Sequence, residues 1–178
     1  MKYKFRPYSK NIIFLDTEFS SMDPYRGEIL SIGLVKLDGE ELYLELEHHS
    51  EVDPWVKKNI LPTLTAPKIS CAEAIKKISQ FVGNKNPYLV SYVNQYDTIY
   101  LYKLFNNIKK PFFWLPIDFA SILFGMGIDP EAYFPKDKKN FFKEIGIDAS
   151  KYKMHNALDD ARLLREVYLK LAFLKNYC

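Results

Sequence analysis

The sequence predicts an α/β domain, a mixed sheet of about five strands with an antiparallel hairpin and parallel strands, flanked by helices. Three observations predict it. Residues 11–16 form a continuous apolar run ending in a carboxylate, the pattern of a strand buried on both faces. Residues 29–37 and 41–47 have strand character, and Asp38-Gly39 between them signals a tight hairpin. From residue 70 onward, helical and strand periods alternate, as strand-to-helix crossovers require.

Taken in order after the hairpin, Ser70 with Glu73 three residues later is a capping-box pattern. Ala74, Ile75, Ile78, Phe81 and Val82 then recur at helical spacing until Gly83 ends the run. Residues 87–93 read as the next buried strand, and a helix from about Tyr96 is expected to turn Ile99, Tyr100, Leu104 and Phe105 inward. Pro116 and Asp118 divide the apolar stretch 111–128 into a short buried strand near 115–117 and a helix. A Lys-rich loop around Lys136 to Lys139 precedes a short helix bearing Phe141, Phe142 and Ile145. The last helix, capped by Asn156, carries Leu158, Ala161, Leu164, Val167, Tyr168, Leu171 and Leu174 on one face.

Composition places bounds on function. The 178 residues are 48% apolar and 26% charged, without repeats or a Gly/Ser linker, so a single domain spanning 1–178 is expected. The net charge is only +3, so a polyanionic partner must be met by a local basic patch or by bound metal. The apolar run after the basic amino terminus is too short for an export signal, and no stretch reaches the ~20 residues of a membrane span. Cys71 and Cys178 show neither zinc nor redox spacing. A soluble, cytoplasmic protein without membrane partners is expected. Gly125-x-Gly127 lacks the later glycine of a dinucleotide fingerprint, and no Walker-type loop is present.

The titratable residues are ambiguous one at a time. Asp16 and Glu18 share one face of a strand end, unless Glu18 already lies in solvated loop. Asp97 in Asn94-Gln95-Tyr96-Asp97 could simply favour the positive end of a helix, as could Asp159 and Asp160 after His155. In combination they mean more, because four acids fall at element ends that a mixed sheet can bring together, with one histidine beside them. Hard divalent cations take oxygen ligands and keep waters, so this set suits Mg²⁺ or Mn²⁺ better than zinc.

Asp16-Thr17-Glu18, Asn94-x-x-Asp97 and His155-x-x-x-x-Asp160 together resemble the three motifs of the DEDDh subgroup of DnaQ-like 3′-to-5′ exonucleases, which share the ribonuclease H-like fold. The block 155–161 is the most specific, and the motifs run in the family's order from Asp16 to Ala161. The resemblance implies that Asp16, Glu18, Asp97 and Asp160 hold two metal ions, that His155 is the general base, and that Asp159 is not the matching acid. It further implies release of nucleoside 5′-monophosphates from the 3′ end of single-stranded RNA or DNA. An imidazole with a pKa near ~6.5 suits proton acceptance near neutrality. Many relatives continue the first motif with small residues and a glycine, whereas Phe19, Ser20 and Ser21 stand here. Phe19 either stacks on the terminal base or packs into the core, and Asn94 is a second candidate substrate contact. Glu18-Phe19 resembles the compact bacterial and phage exoribonuclease branch, which favours RNA while leaving DNA open. Relatives often form homodimers, although nothing in the composition identifies an interface.

Other features have plainer readings. His48 and His49 follow a strand and point oppositely, as a solvated strand end does. Trp55 and Trp114 are expected in the core or facing a partner. Lys136, Lys138, Lys139 and Lys143 are either a solvated run or a guide for a phosphate backbone. Two rival functions use the same fold: a non-catalytic nucleic-acid-binding module, and an endonuclease of the ribonuclease H type, which the histidine five residues before Asp160 disfavours.

Overall fold

The computed structural model describes residues 4–133 and 138–172. Among the described residues, six strands form one mixed sheet in the order β4 (Lys68–Ile69), β3 (Glu41–Leu46), β2 (Ile29–Lys36), β1 (Ile12–Phe19), β5 (Tyr88–Ser91) and β6 (Ile117–Asp118). β1 (Ile12–Phe19), β2 (Ile29–Lys36) and β3 (Glu41–Leu46) make an antiparallel meander through the Asp38-Gly39 turn. Gly39 supplies the left-handed backbone that turn requires, at φ 100°. β5 (Tyr88–Ser91) and β6 (Ile117–Asp118) continue the sheet beyond β1 in parallel. The expected fold class therefore holds. The additional strand, β4 (Lys68–Ile69), is two residues paired to β3, too short to leave a periodic trace in sequence.

The helices are α1 (Pro54–Asn59), α2 (Cys71–Val82), α3 (Gln95–Phe105), α4 (Phe119–Gly125), α5 (Lys138–Ile145) and α6 (Ala157–Leu171). Strand alternation sorts β1 between two layers. Ile13 and Leu15 pack with Ala74, Ile78 and Val82 of α2 and Tyr100, Leu101 and Phe105 of α3. Ile12 and Phe14 face Leu164, Val167 and Tyr168 of α6, with Phe119 of α4 and Phe142 of α5. Ser70 caps α2 by accepting from the Glu73 N–H at 3.2 Å, and Asp118 caps α4 by accepting from Ser121 at 2.9 Å.

Several expectations are corrected. The inward stripe of α3 runs Asp97, Tyr100, Leu101 and Phe105, so Ile99, at 46% exposure, faces outward: the helical period is set from Asp97 rather than from the aliphatic residue. Lys138 and Lys139 belong to α5 and not to a loop. Trp55 and Trp114 are both outside the core, at 55% and 73% exposure. Lys136, Leu174 and Cys178 lie outside the described residues. Among the described residues, no helix is long and apolar enough to cross a membrane.

Candidate active site

The site is built at the carboxyl ends of β1 and β5, where β1 passes from an antiparallel to a parallel neighbour, the kind of crevice in which α/β sheets bind ligands. On β1 the face that buries Ile12 and Phe14 continues, by alternation, to Asp16 and Glu18. A register irregularity between Glu18 and Phe19 ends the strand there. β1 thus changes from fully apolar to acidic within one strand.

Asp160 reaches the same place from the first turn of α6. Asn156 caps that helix, its side-chain oxygen accepting from the Asp159 N–H at 3.2 Å. Gly33 on β2, the register partner of Asp16, lets α6 approach: a Cβ there would stand 2.2 Å from the Ala157 carbonyl oxygen. Carboxylate oxygens of Asp16, Glu18 and Asp160 consequently lie within 4.8 Å of one another. Asp159, its neighbour, pairs with Arg162 at 2.7 Å.

Asp97 enters through α3. Its buried carboxylate accepts from the Thr17 N–H at 2.9 Å and the Thr17 hydroxyl at 2.6 Å, which fastens α3 to β1 between the two strand acids. Asp97 is therefore a tie to the sheet as well as a first-turn charge. The preceding Val93 has φ 55°, an uncommon backbone for a β-branched residue, at the bend from β5 into α3. Asn94 begins that helix without a side-chain cap bond, donating its N–H to Asp118 at 3.2 Å. It is set back from the cavity described next.

Asp16, Glu18, Asp97 and Asp160 share a cavity of about 400 Å³ with His155, Phe19, Tyr96, Tyr92 and Tyr133. His155 sits on an exposed turn at φ 59° and donates its backbone N–H to Asp160 at 2.9 Å. Histidine is among the residues that tolerate this backbone region. Phe19 is stacked on Tyr100, with ring centroids 4.6 Å apart, and tilted against Tyr96 at 5.8 Å. It packs against the α3 aromatics while still lining the cavity, so both expected roles are compatible with its position.

Crowding shows in the titration of these acids. Burial pushes the Asp16 carboxyl well above its usual range, and the charges of Asp97, Asp160 and Glu18 add to it. Burial, then Asp160 and Asp97, raises Glu18 to about 8. Asp97 rises to about 7 through burial, against the lowering effect of its Thr17 hydrogen bonds. Among the described residues, no lysine or arginine forms an ion pair with Asp16, Glu18 or Asp97. An all-oxygen set, three of its acids half-buried and Asp97 buried, with the carboxyls of Asp16, Glu18 and Asp97 raised by burial and then by the charge of neighbouring acids, fits a hard divalent cation, which would supply the missing positive charge.

Gly33, Thr17, Tyr133 and Trp55 contribute to or flank the site without having been singled out for it in the sequence. A glycine inside a strand is a signal of close backbone approach, and alternation placed Thr17 opposite its acidic neighbours. Tyr133 and Trp55 come from segments with no motif. His48 and His49 follow β3 and do not join the acidic group.

The RNase_T family model, described as exonuclease, matches residues 13–168. Among solved structures, the chain is similar to the zinc-bound E. coli exonuclease I–ssDNA complex, with a TM-score of 0.67 and 17% identity over 90% of this chain and 39% of that one. The E. coli exonuclease I complex with a dT13 oligonucleotide gives 0.65 and 16%, over 90% and 40%. The chain thus spans about two-fifths of the length of those enzymes, and their likeness bears on the fold. No curated protein matches. With the family model covering the acidic cluster, α3 and most of α6, the chain belongs to the RNase_T exonuclease family.

Proposed function

We propose that the protein is a DEDDh-type 3′-to-5′ exonuclease that releases nucleoside 5′-monophosphates from the 3′ end of single-stranded RNA or DNA, with RNA favoured. The observation that carries this reading is the convergence of Asp16, Glu18 and Asp160 within 4.8 Å, with Asp97 and His155 lining the same cavity. Asp16, Glu18, Asp97 and Asp160 would hold two Mg²⁺ or Mn²⁺ ions. Bound there, such ions polarise the scissile phosphate and acidify a coordinated water.

The chain's own residues do the rest. His155, one sequence turn from Asp160, accepts the proton of the attacking water at an imidazole nitrogen, a task for which metal-committed carboxylates are poor. Phe19 and Tyr96 give the cavity an aromatic wall, and such faces accept any base at ~1–3 kcal/mol. The favouring of RNA rests on the Glu18-Phe19 resemblance to the compact exoribonuclease branch.

The test is digestion of matched 5′-labelled RNA and DNA oligonucleotides, single- and double-stranded, with Mg²⁺ and product sizing. A ladder shortening one nucleotide at a time from the 3′ end is expected, faster on single-stranded RNA. Internal cuts alone, or intact substrate bound without hydrolysis, would reject the reading.

A further inference from the structure

We propose that Trp55 is a positioning residue for His155, holding the imidazole toward the acidic cluster through an edge-on ring contact. The inference rests on the reading of His155 as proton acceptor. The two ring centroids are 5.1 Å apart with planes at 81°, the edge-to-face arrangement that aromatic pairs prefer.

His155 stands on a turn, exposed and with left-handed backbone. The bond from its N–H to Asp160 holds the main chain of that turn, and the Trp55 contact bears on the imidazole itself. A ring contact of this kind biases a rotamer population by a few-fold to about ten-fold. Trp55 does not line the acidic cavity, so its effect on the chemistry must pass through the imidazole.

The indole is mounted on a fixed platform. The Asp53 N–H donates to the Ser20 carbonyl at 2.8 Å, joining the start of α1 to the chain just beyond β1. Val56 and Ile60 pack with Leu30 of β2. The Glu28 carboxylate accepts from the His49 and Ser50 N–H groups at 2.6 and 2.9 Å, which fastens the approach to α1. The segment carrying Glu18 and the segment carrying Trp55 are thereby tied together, and Trp55, more than half exposed, faces the histidine.

The experiment compares wild type, W55A, W55F, H155A and W55A/H155A. Steady-state kinetics use a labelled single-stranded oligonucleotide with Mg²⁺, and binding of Mn²⁺ alone is measured in parallel. W55A is expected to lower kcat about ten-fold with KM and Mn²⁺ affinity near wild type, W55F to restore most of kcat, and W55A to cost nothing further in H155A. Unchanged kcat, a raised KM with kcat kept (direct stacking on a base), or an equal loss in the H155A background would each overturn the proposal. H155A at the wild-type rate would instead overturn the role of His155 and the proposal with it. The His155 ring resonances should also shift in W55A whether or not an oligonucleotide is turned over. Unshifted resonances would reject the contact itself.

Discussion

Two populations of acid occur in this molecule and behave oppositely. Asp118, Asp148 and Glu28 stand at helix starts or loop ties and accept hydrogen bonds from backbone N–H groups. Hydrogen bonds from Ser150 hold Asp148 below the usual carboxylate range. For Glu28 burial works upward, but the bonds from His49 and Ser50 prevail and bring it down. Asp16, Glu18 and Asp97 are displaced upward by burial and by one another. Asp148 and Glu28 stabilise the fold when ionised, whereas ionising the second group costs the fold stability.

The largest expected effect follows from removing one member of the second group. Asp16→Asn abolishes Mg²⁺-dependent turnover while leaving the metal-free protein at least as stable as wild type, because one of a set of crowded, half-buried carboxyls disappears. Turnover assays and thermal melting in chelator check both halves. An active Asp16→Asn protein would remove the acidic cluster from the chemistry.

Gly33→Ala comes next. The new methyl group meets the Ala157 carbonyl at 2.2 Å, and backbone must move. Displacing α6 carries Asp160 away from Asp16. Turnover should drop steeply, Mg²⁺ should stabilise the variant less than wild type, and the overpacking should lower stability by roughly 1–3 kcal/mol. Wild-type turnover in Gly33→Ala would show that the close approach of α6 is not what assembles the cluster.

These two variants also mark the limits of what the sequence discloses. β1, the Asp38-Gly39 hairpin, α2 with its Ser70 cap and α6 were legible because apolar period and turn chemistry agree there. The acids of the site were legible as a combination, since each alone has an ordinary structural use. What stayed hidden depends on other elements for its meaning. Gly33 matters only because α6 crosses it, Thr17 only because Asp97 arrives from α3, and Trp55 only because α1 is fastened beside the turn of His155. On α3 Tyr100, Leu104 and Phe105 face the core as expected and Ile99 does not, because the inward stripe begins with the carboxylate of Asp97, a residue type that hydrophobic patterning discounts.

A smaller, graded effect is the dependence of metal-free stability on pH. Glu18 and Asp97 have folded-state values of about 8 and about 7, above the ~4 of an unfolded carboxylate. The native state therefore binds more protons than the unfolded state across that window, and stability contributed by the protonated acids is lost as pH rises from about 4 to about 8. Added Mg²⁺ should raise the melting temperature more at pH 8 than at pH 5, since cation and protons compete for the same oxygens. An equal Mg²⁺ effect at both values would mean that the ion binds elsewhere.

The smallest effect sharpens the contrast most directly. Asp118→Ala removes the cap of α4 and the acceptor of the Asn94 N–H. It should lower stability by ~1 kcal/mol, the usual loss for an N-cap acid. Asp16→Asn removes a carboxyl crowded by other acids and should leave metal-free stability unchanged or higher. The sign of the change in melting temperature thus separates an acid whose partners are N–H groups at hydrogen-bond distance from one whose neighbours are other acids. Should both variants melt lower than wild type by similar amounts in chelator, Asp16 would hold the fold as a cap acid does, and the crowding around it would have no energetic consequence.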